Sequence, residues 1–257
     1  MNPLQRALIE KAGHDHGFEY ILPGAEDAVR LASARHNAQV HIVPIEGGFD
    51  LTFSSSGQAQ LIAELARSFP AAVRASTGFN ATNERELARF LRRGADLARA
   101  LPNQAAVDFE ARLKEELTQF PASLIHGTEI ERLVRQRVGQ QTFRQAMLDY
   151  WGDACAVTGI ALPEVLRASH ARPWAECESD TERLDVFNGF LLSANLDALF
   201  DRCLISFMDD GDLLVSPAIS DVERRRLGLD KPLRLRWLAA EHLHYLRFQR
   251  DRFKEST

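Results

Sequence analysis

Three short stretches in a fixed order constrain this chain most: Ala168-Ser169-His170-Ala171-Arg172-Pro173-Trp174, then Asn188-Gly189, then Leu196-Asp197-Ala198-Leu199-Phe200-Asp201. The first is a short β-type run that ends in a single histidine. Asn188-Gly189 stands directly before the apolar run Phe190, Leu191 and Leu192, where a second strand or turn gives way to a helix. Ser193 is the expected N-cap of that helix, which runs from Ala194 to about Arg202 with Leu196, Leu199 and Phe200 as its buried stripe. Beyond it, Leu204 to Met208 and Leu213 to Val215, joined through Asp209-Asp210-Gly211, read as a hairpin that braces the helix.

These parts suit the cleavage of a phosphodiester, which needs an activated water, a cation on the scissile phosphate and a group to hold the base in orientation. His170 can take a proton from water, because an imidazole with an ordinary pKa near ~6.5 is largely neutral at cellular pH. Asn188 is placed to fix the loop or the histidine tautomer. Asp197 and Asp201 stand one helical turn apart, so both carboxylates face one way and offer hard oxygen ligands to magnesium or manganese. Asp201 is equally suited to pairing with Arg202 or Arg183. Arg172, two residues from His170, is positioned in sequence to clamp a phosphate.

At these residues the chain resembles the HNH endonucleases, whose ββα-metal fold carries a histidine, an asparagine and a third histidine or aspartate in this order. Upstream, Arg137 to Gln140, Phe143-Arg144, Tyr150 and Cys155-Ala156-Val157-Thr158-Gly159 resemble the approach to the motif in restriction-associated members. Downstream, Phe200-Asp201-Arg202 and the segment from His242 to Phe253 fit the same pattern. The resemblance covers roughly residues 128 to 253. It implies His170 as general base, Asn188 as the motif asparagine, and Asp197 as a metal ligand, with Ser169 a weaker ligand where many relatives carry aspartate. Aspartate at the third position favours Mg2+ or Mn2+ over softer metals. The resemblance further implies double-stranded DNA as substrate and a restriction or defence role. A cognate methyltransferase encoded separately would be a partner in such a system, and cutting both strands of a duplex is compatible with a homodimer.

Cys155, Cys177 and Cys203 are widely separated, and Thr158 stands where a second cysteine of a zinc-binding pair is expected, so no structural zinc is expected. Three cysteines and no apolar leader point to buried thiols in a cytoplasmic protein. The composition, 45% hydrophobic and 26% charged, is ordinary globular usage, and no apolar run is long enough for a membrane span. The net charge of -5 means that any DNA contact is local. Arg224, Arg225 and Arg226 are the DNA-binding candidates of the C-terminal half, while Arg85, Arg89, Arg92 and Arg93 are interleaved with Glu84, Glu86 and Asp96 and read as a solvated helix face.

The expected fold is α+β: an N-terminal α+β recognition or regulatory module over residues 1–121, a helical connector, and an HNH nuclease domain over 122–257 with its core motif at 150–216. In the first half, Leu4 to about His14 and Ala25 to about His36 read as helices. Gln39 to Ile45 and Phe49 to Ser54 alternate as a hairpin about Glu46-Gly47-Gly48. Gly57 to Phe69, Asn83 to Leu101 and Gln104 to about Phe120 read as further helices. The break falls at Pro121-Ala122-Ser123 and His126-Gly127-Thr128, with Thr128 capping a helix into Arg137. His14-Asp15-His16 reads as helix-end capping rather than a metal site, and Ser54 to Gly57 as a turn with an N-cap. Two further functions share these residues: a nuclease switched on by a ligand or partner bound to the first module, and an inactive DNA-binding protein that keeps the ββα shell.

Overall fold

The computed structural model describes residues 1–74, 78–120 and 129–255. The expected break at Pro121 to Ser123 and His126 to Thr128, with the Thr128 cap, lies outside them. The chain divides into two compact units, Met1–Gln104 and Ala105–Thr257, so the division falls in the first turn of the long helix that precedes residue 121. Among the described residues no helix is long and apolar enough to cross a membrane.

The first unit contains α1 (Pro3–Asp15), β1 (Tyr20–Leu22), β2 (Val29–Ala32), β3 (Gln39–Ile45), β4 (Gly48–Ser54), α2 (Gln58–Ser68), β5 (Gly78–Ala81) and α3 (Glu84–Ala100). The strands form an antiparallel meander in the order β1-β2-β3-β4-β5. Period-two patterning sets its faces: Val29, Leu31, Val40, Ile42, Leu51, Phe53 and Phe79 point inward, and Leu61, Leu65, Leu87, Phe90 and Leu91 of α2 and α3 join them in the core. Gly47, at φ 79°, closes the β3–β4 turn in a conformation that favours glycine. Asn83 caps α3 by accepting from the Glu86 backbone N–H at 3.0 Å.

The expected helix from Ala25 to His36 is a strand instead. Val29-Arg30-Leu31 alternates buried, exposed, buried, and pairing with β1 on one side and β3 on the other overrides the helical propensity of the preceding Ala-Glu-Asp-Ala. β1 and β5, both edge strands of only three and four residues, carry too little pattern to have been found.

The second unit contains α4 (Pro102–Leu117), whose first turn precedes the division, α5 (Glu129–Trp151), β6 (Leu166–His170), α6 (Asp180–Arg183), β7 (Gly189–Ser193), α7 (Ala194–Asp201), β8 (Ile205–Phe207), β9 (Leu213–Val215), α8 (Asp221–Arg226) and α9 (His242–Glu255). β6 and β7 pair antiparallel from Leu166↔Ser193 to His170↔Gly189, and α7 packs against both strands. α9 packs on β8 and β7. The core combines Phe143, Tyr150, Trp151, Phe187, Phe190, Leu196, Phe200 and Phe207, all nearly inaccessible. Ser193 is the N-cap of α7 by position, but its hydroxyl donates to Asn195 Oδ1 at 2.7 Å rather than accepting from the helix backbone.

Candidate active site

His170 is the last residue of β6, where the strand opens into the long connection to β7. Its ring stacks on Phe143 of α5, with centroids 3.7 Å apart and planes inclined by 18°, and meets the edge of Trp174 at 5.9 Å. Gly139, one turn before Phe143, makes room for that indole: a Cβ there would come within 2.1 Å of Trp174. Nε2 of His170 lies 2.9 Å from the Arg183 carbonyl, so this nitrogen carries the proton and Nδ1 keeps its lone pair. Among the described residues Nδ1 makes no hydrogen bond. Burial in this apolar box lowers the ring's pKa to about 4, against the pull of the Arg183 carbonyl. The imidazole is therefore neutral at cellular pH, in the tautomer that leaves Nδ1 as the base.

The acceptor carbonyl is itself anchored. The Arg183 guanidinium donates to the carbonyls of Trp174 at 3.1 Å and Cys177 at 2.6 Å and to Asp180 Oδ1 at 3.0 Å, so the loop after β6 folds back on itself. Asn188, fully buried, completes the clamp. Its Oδ1 accepts from the Arg172 backbone N–H at 2.8 Å, and its amide donates to the carbonyls of Arg172 and Glu182 and to Cys177 Sγ. Asn188 thus ties the loop to the start of β7, with both polar atoms of its side chain engaged in the interior.

The Ser169 hydroxyl, next to His170 on β6, donates to Asp197 Oδ1 on α7. Two cavities flank His170. One, of about 350 Å³, is lined by Ser169, Pro173, Cys203, Gln249 and Arg252; the other, of about 290 Å³, by Gln140, Phe143, Arg144, Arg167 and Asp197. Ala168, His170, Trp174 and Asp201 line both. The cleft is thus one groove crossing the histidine, with Asp197 and Asp201 on its α7 wall. Desolvation, reinforced by the neighbouring Asp197 charge, pushes the Asp201 carboxyl up to about 6 although its outer surface is open to solvent.

This donor set fits a hard divalent cation. Two carboxylates one turn apart repel each other, a divalent charge relieves that repulsion, and magnesium needs only one or two protein carboxylates beside water and phosphate oxygens. Among the described residues no group of three or more His, Cys, Asp or Glu is placed to hold a metal. Cys203 is held as a neutral thiol by burial, so it adds no soft ligand. Cys155 and Cys177 are likewise buried.

Two groups of expected arginines stand elsewhere. The Arg172 guanidinium pairs with Glu182 at 2.6 Å and lies 4.8 Å over the Phe248 ring, and its Nε is buried, so it braces the loop instead of lining the cleft. Arg224 donates to the carbonyls of Ile219 and Ser216, each at 3.0 Å. Arg225 and Arg226 are exposed on α8, which contributes no cleft residue. The cleft arginines are Arg144, Arg167 and Arg252. The last two carry no pattern in the sequence, being isolated arginines on a strand and on the final helix; Trp174 and Phe143 belong to the motif and its approach, but nothing local shows that their rings meet His170.

An antiparallel strand pair crossed by a helix, with a neutral histidine at the first strand's end and carboxylates on the helix, is the build of a ββα-metal nuclease domain. Residues 155–208 match the family model described as HNH endonuclease, and the second unit carries a domain of that family. No curated protein matches the chain.

Proposed function

We propose that the protein is a metal-dependent endonuclease that hydrolyses DNA phosphodiesters, with the first unit choosing the substrate. The observation that carries this reading is the histidine: His170 is fixed through Nε2, neutral, and lines a cleft together with Asp197 and Asp201. His170 Nδ1 takes the proton from a water as its oxygen bonds to phosphorus; one P–O bond breaks, and the leaving oxygen gains a proton from solvent. Asp197 and Asp201, with the Ser169 hydroxyl beside them, would hold Mg2+ or Mn2+, which when bound offsets the charge developing on the phosphate and leaving oxygen. Asn188 and the Arg183 side chain keep the acceptor carbonyl still. Restriction of foreign or modified DNA is the biology that the family resemblance favours.

The test is incubation of the purified protein with unmodified and with cytosine-methylated plasmid, each with magnesium, manganese or chelator, alongside His170→Ala. Metal-dependent cutting absent in the variant is expected, and a difference between plasmids assigns modification reading to the first unit. Equal cutting by His170→Ala overturns the assignment. DNA binding without cutting by the intact protein points to an inactive binder or to an effector that awaits activation.

A further inference from the structure

The groove has an arginine on each side of His170. Arg167 lines one cavity and Arg252 the other, and Ala168, His170, Trp174 and Asp201 line both. We propose that the groove is a track for one DNA strand, with Arg167 and Arg252 gripping phosphates on opposite sides of the phosphate attacked beside His170. This rests on the nuclease reading above and replaces the arginines that the sequence alone selects.

Both side chains are built for exchange with a phosphate. Arg167 is exposed, and one of its terminal nitrogens donates to the carbonyls of Glu164 and Leu166, each at 2.9 Å, which fixes the guanidinium at the cavity rim. Arg144 stiffens the same rim by donating to the carbonyls of Leu166 at 2.7 Å and Pro163 at 2.9 Å. On the other side Arg252 pairs with Glu176 at 3.0 Å; the two side chains are 42% and 46% exposed. An ion pair that open to water contributes little, so exchanging Glu176 for a phosphate oxygen costs little. The protein as a whole is acidic, at a net charge of -5, so two cations flanking the carboxylate wall make a local attractive path rather than a general basic surface. The residues that line both cavities, Ala168, His170, Trp174 and Asp201, include no arginine or lysine, leaving the central phosphate to the carboxylate-held cation.

The experiment measures binding of the full chain to a fluorescent duplex oligonucleotide in chelator, as a function of salt. Arg167→Ala and Arg252→Ala are each expected to lower the slope of log affinity against log salt by about 0.9, and the double variant by about twice that. Arg167→Lys and Arg252→Lys are expected to restore the slope, because the charge is kept. Single methylphosphonates stepped along a duplex with a mapped cut then locate the partners: Arg167→Ala becomes insensitive to one neutralised phosphate and Arg252→Ala to another across the cut. Cleavage by either alanine variant is expected to fall about 10- to 100-fold. Unchanged slopes, or one shared phosphate for both arginines, overturn the proposal while His170-dependent cutting leaves the nuclease reading intact. Failure of the intact protein to bind DNA overturns it as well, and absence of metal-dependent cutting separately removes the nuclease reading.

Discussion

Each unit encloses one histidine of nearly the same local character. His36 in the first unit sits edge-on to Phe18 at 5.0 Å, bonds the Gly17 carbonyl through Nε2 at 3.1 Å, and is lowered to about 4 by burial, with the Arg99 charge adding to it. His170 in the second stacks on Phe143, bonds the Arg183 carbonyl and is lowered to about 4 by burial alone. They differ in what lies beyond the ring. His36 is sealed, at 5% exposed, within the core; His170 opens onto a groove with two carboxylates and three arginines. A depressed pKa and a fixed tautomer therefore describe a well-packed histidine as much as a base. The opening, and the charges placed across it, make the second one a candidate for catalysis.

The largest expected effect separates the two directly. His170→Ala loses cleavage by about 10²- to 10⁴-fold, the usual worth of a general base, whereas His36→Phe keeps it; a plasmid nicking assay reads both. Equal losses would mean that the two histidines act only by packing. At limiting cation, cleavage by the unaltered protein is expected to fall first near pH 6, where Asp201 takes up a proton, and again near pH 4, where the Nδ1 lone pair is protonated.

Next is the strand pair that presents His170. A Cβ on Gly189 would come within 2.0 Å of the Ser169 carbonyl, a backbone atom that cannot swing away, so Gly189→Ala should prise β7 from β6. A loss of about 3 kcal/mol is expected in denaturant unfolding, at or above the upper range for overpacking. The equivalent change in the first unit, Gly94→Ala, meets only the Phe53 ring at 2.6 Å and should cost less, because a side chain can shift.

Asn188→Ala leaves the Arg172 N–H without its acceptor and the Glu182 carbonyl without its donor, and is expected to destabilise the second unit by about 2–3 kcal/mol. Hydrogen exchange should quicken in β6 and β7 and not in β2 to β4. The smallest effect is that of a single histidine on acid stability. Both folded histidine pKa values lie below the ordinary ~6.5, so between that value and about 4 the unfolded chain binds more protons and stability falls as pH falls. Each histidine contributes roughly 2 kcal/mol of that loss by pH 5. Asp201, raised to about 6, opposes it, since its folded carboxyl takes up a proton first. His36→Phe should reduce the acid loss measured by urea unfolding at pH 7 and 5 in the first unit alone.

The ββα order, the two hairpins and most helices were legible because each rests on a periodic pattern or a cap within a few residues: Leu196 and Phe200 on α7, Asn83 before α3, Gly47 between β3 and β4. So was the strand-end position of His170, which closes a short β-type run. The strand at Val29–Ala32 was not, because its identity comes from the strands on either side. Arg172 was chosen for its nearness in sequence and is held by Glu182 and Phe248 instead; Arg167 and Arg252, 85 positions apart, come to one groove only when β6 and α9 pack in the same unit. Local backbone preference and side-chain period, which act over a turn or a strand, settled most of the elements and the place of His170 at a strand end. Which charges face that histidine is a property of side chains brought together by burial of Phe190, Phe200 and Phe207, a nondirectional force that leaves no mark at any one position.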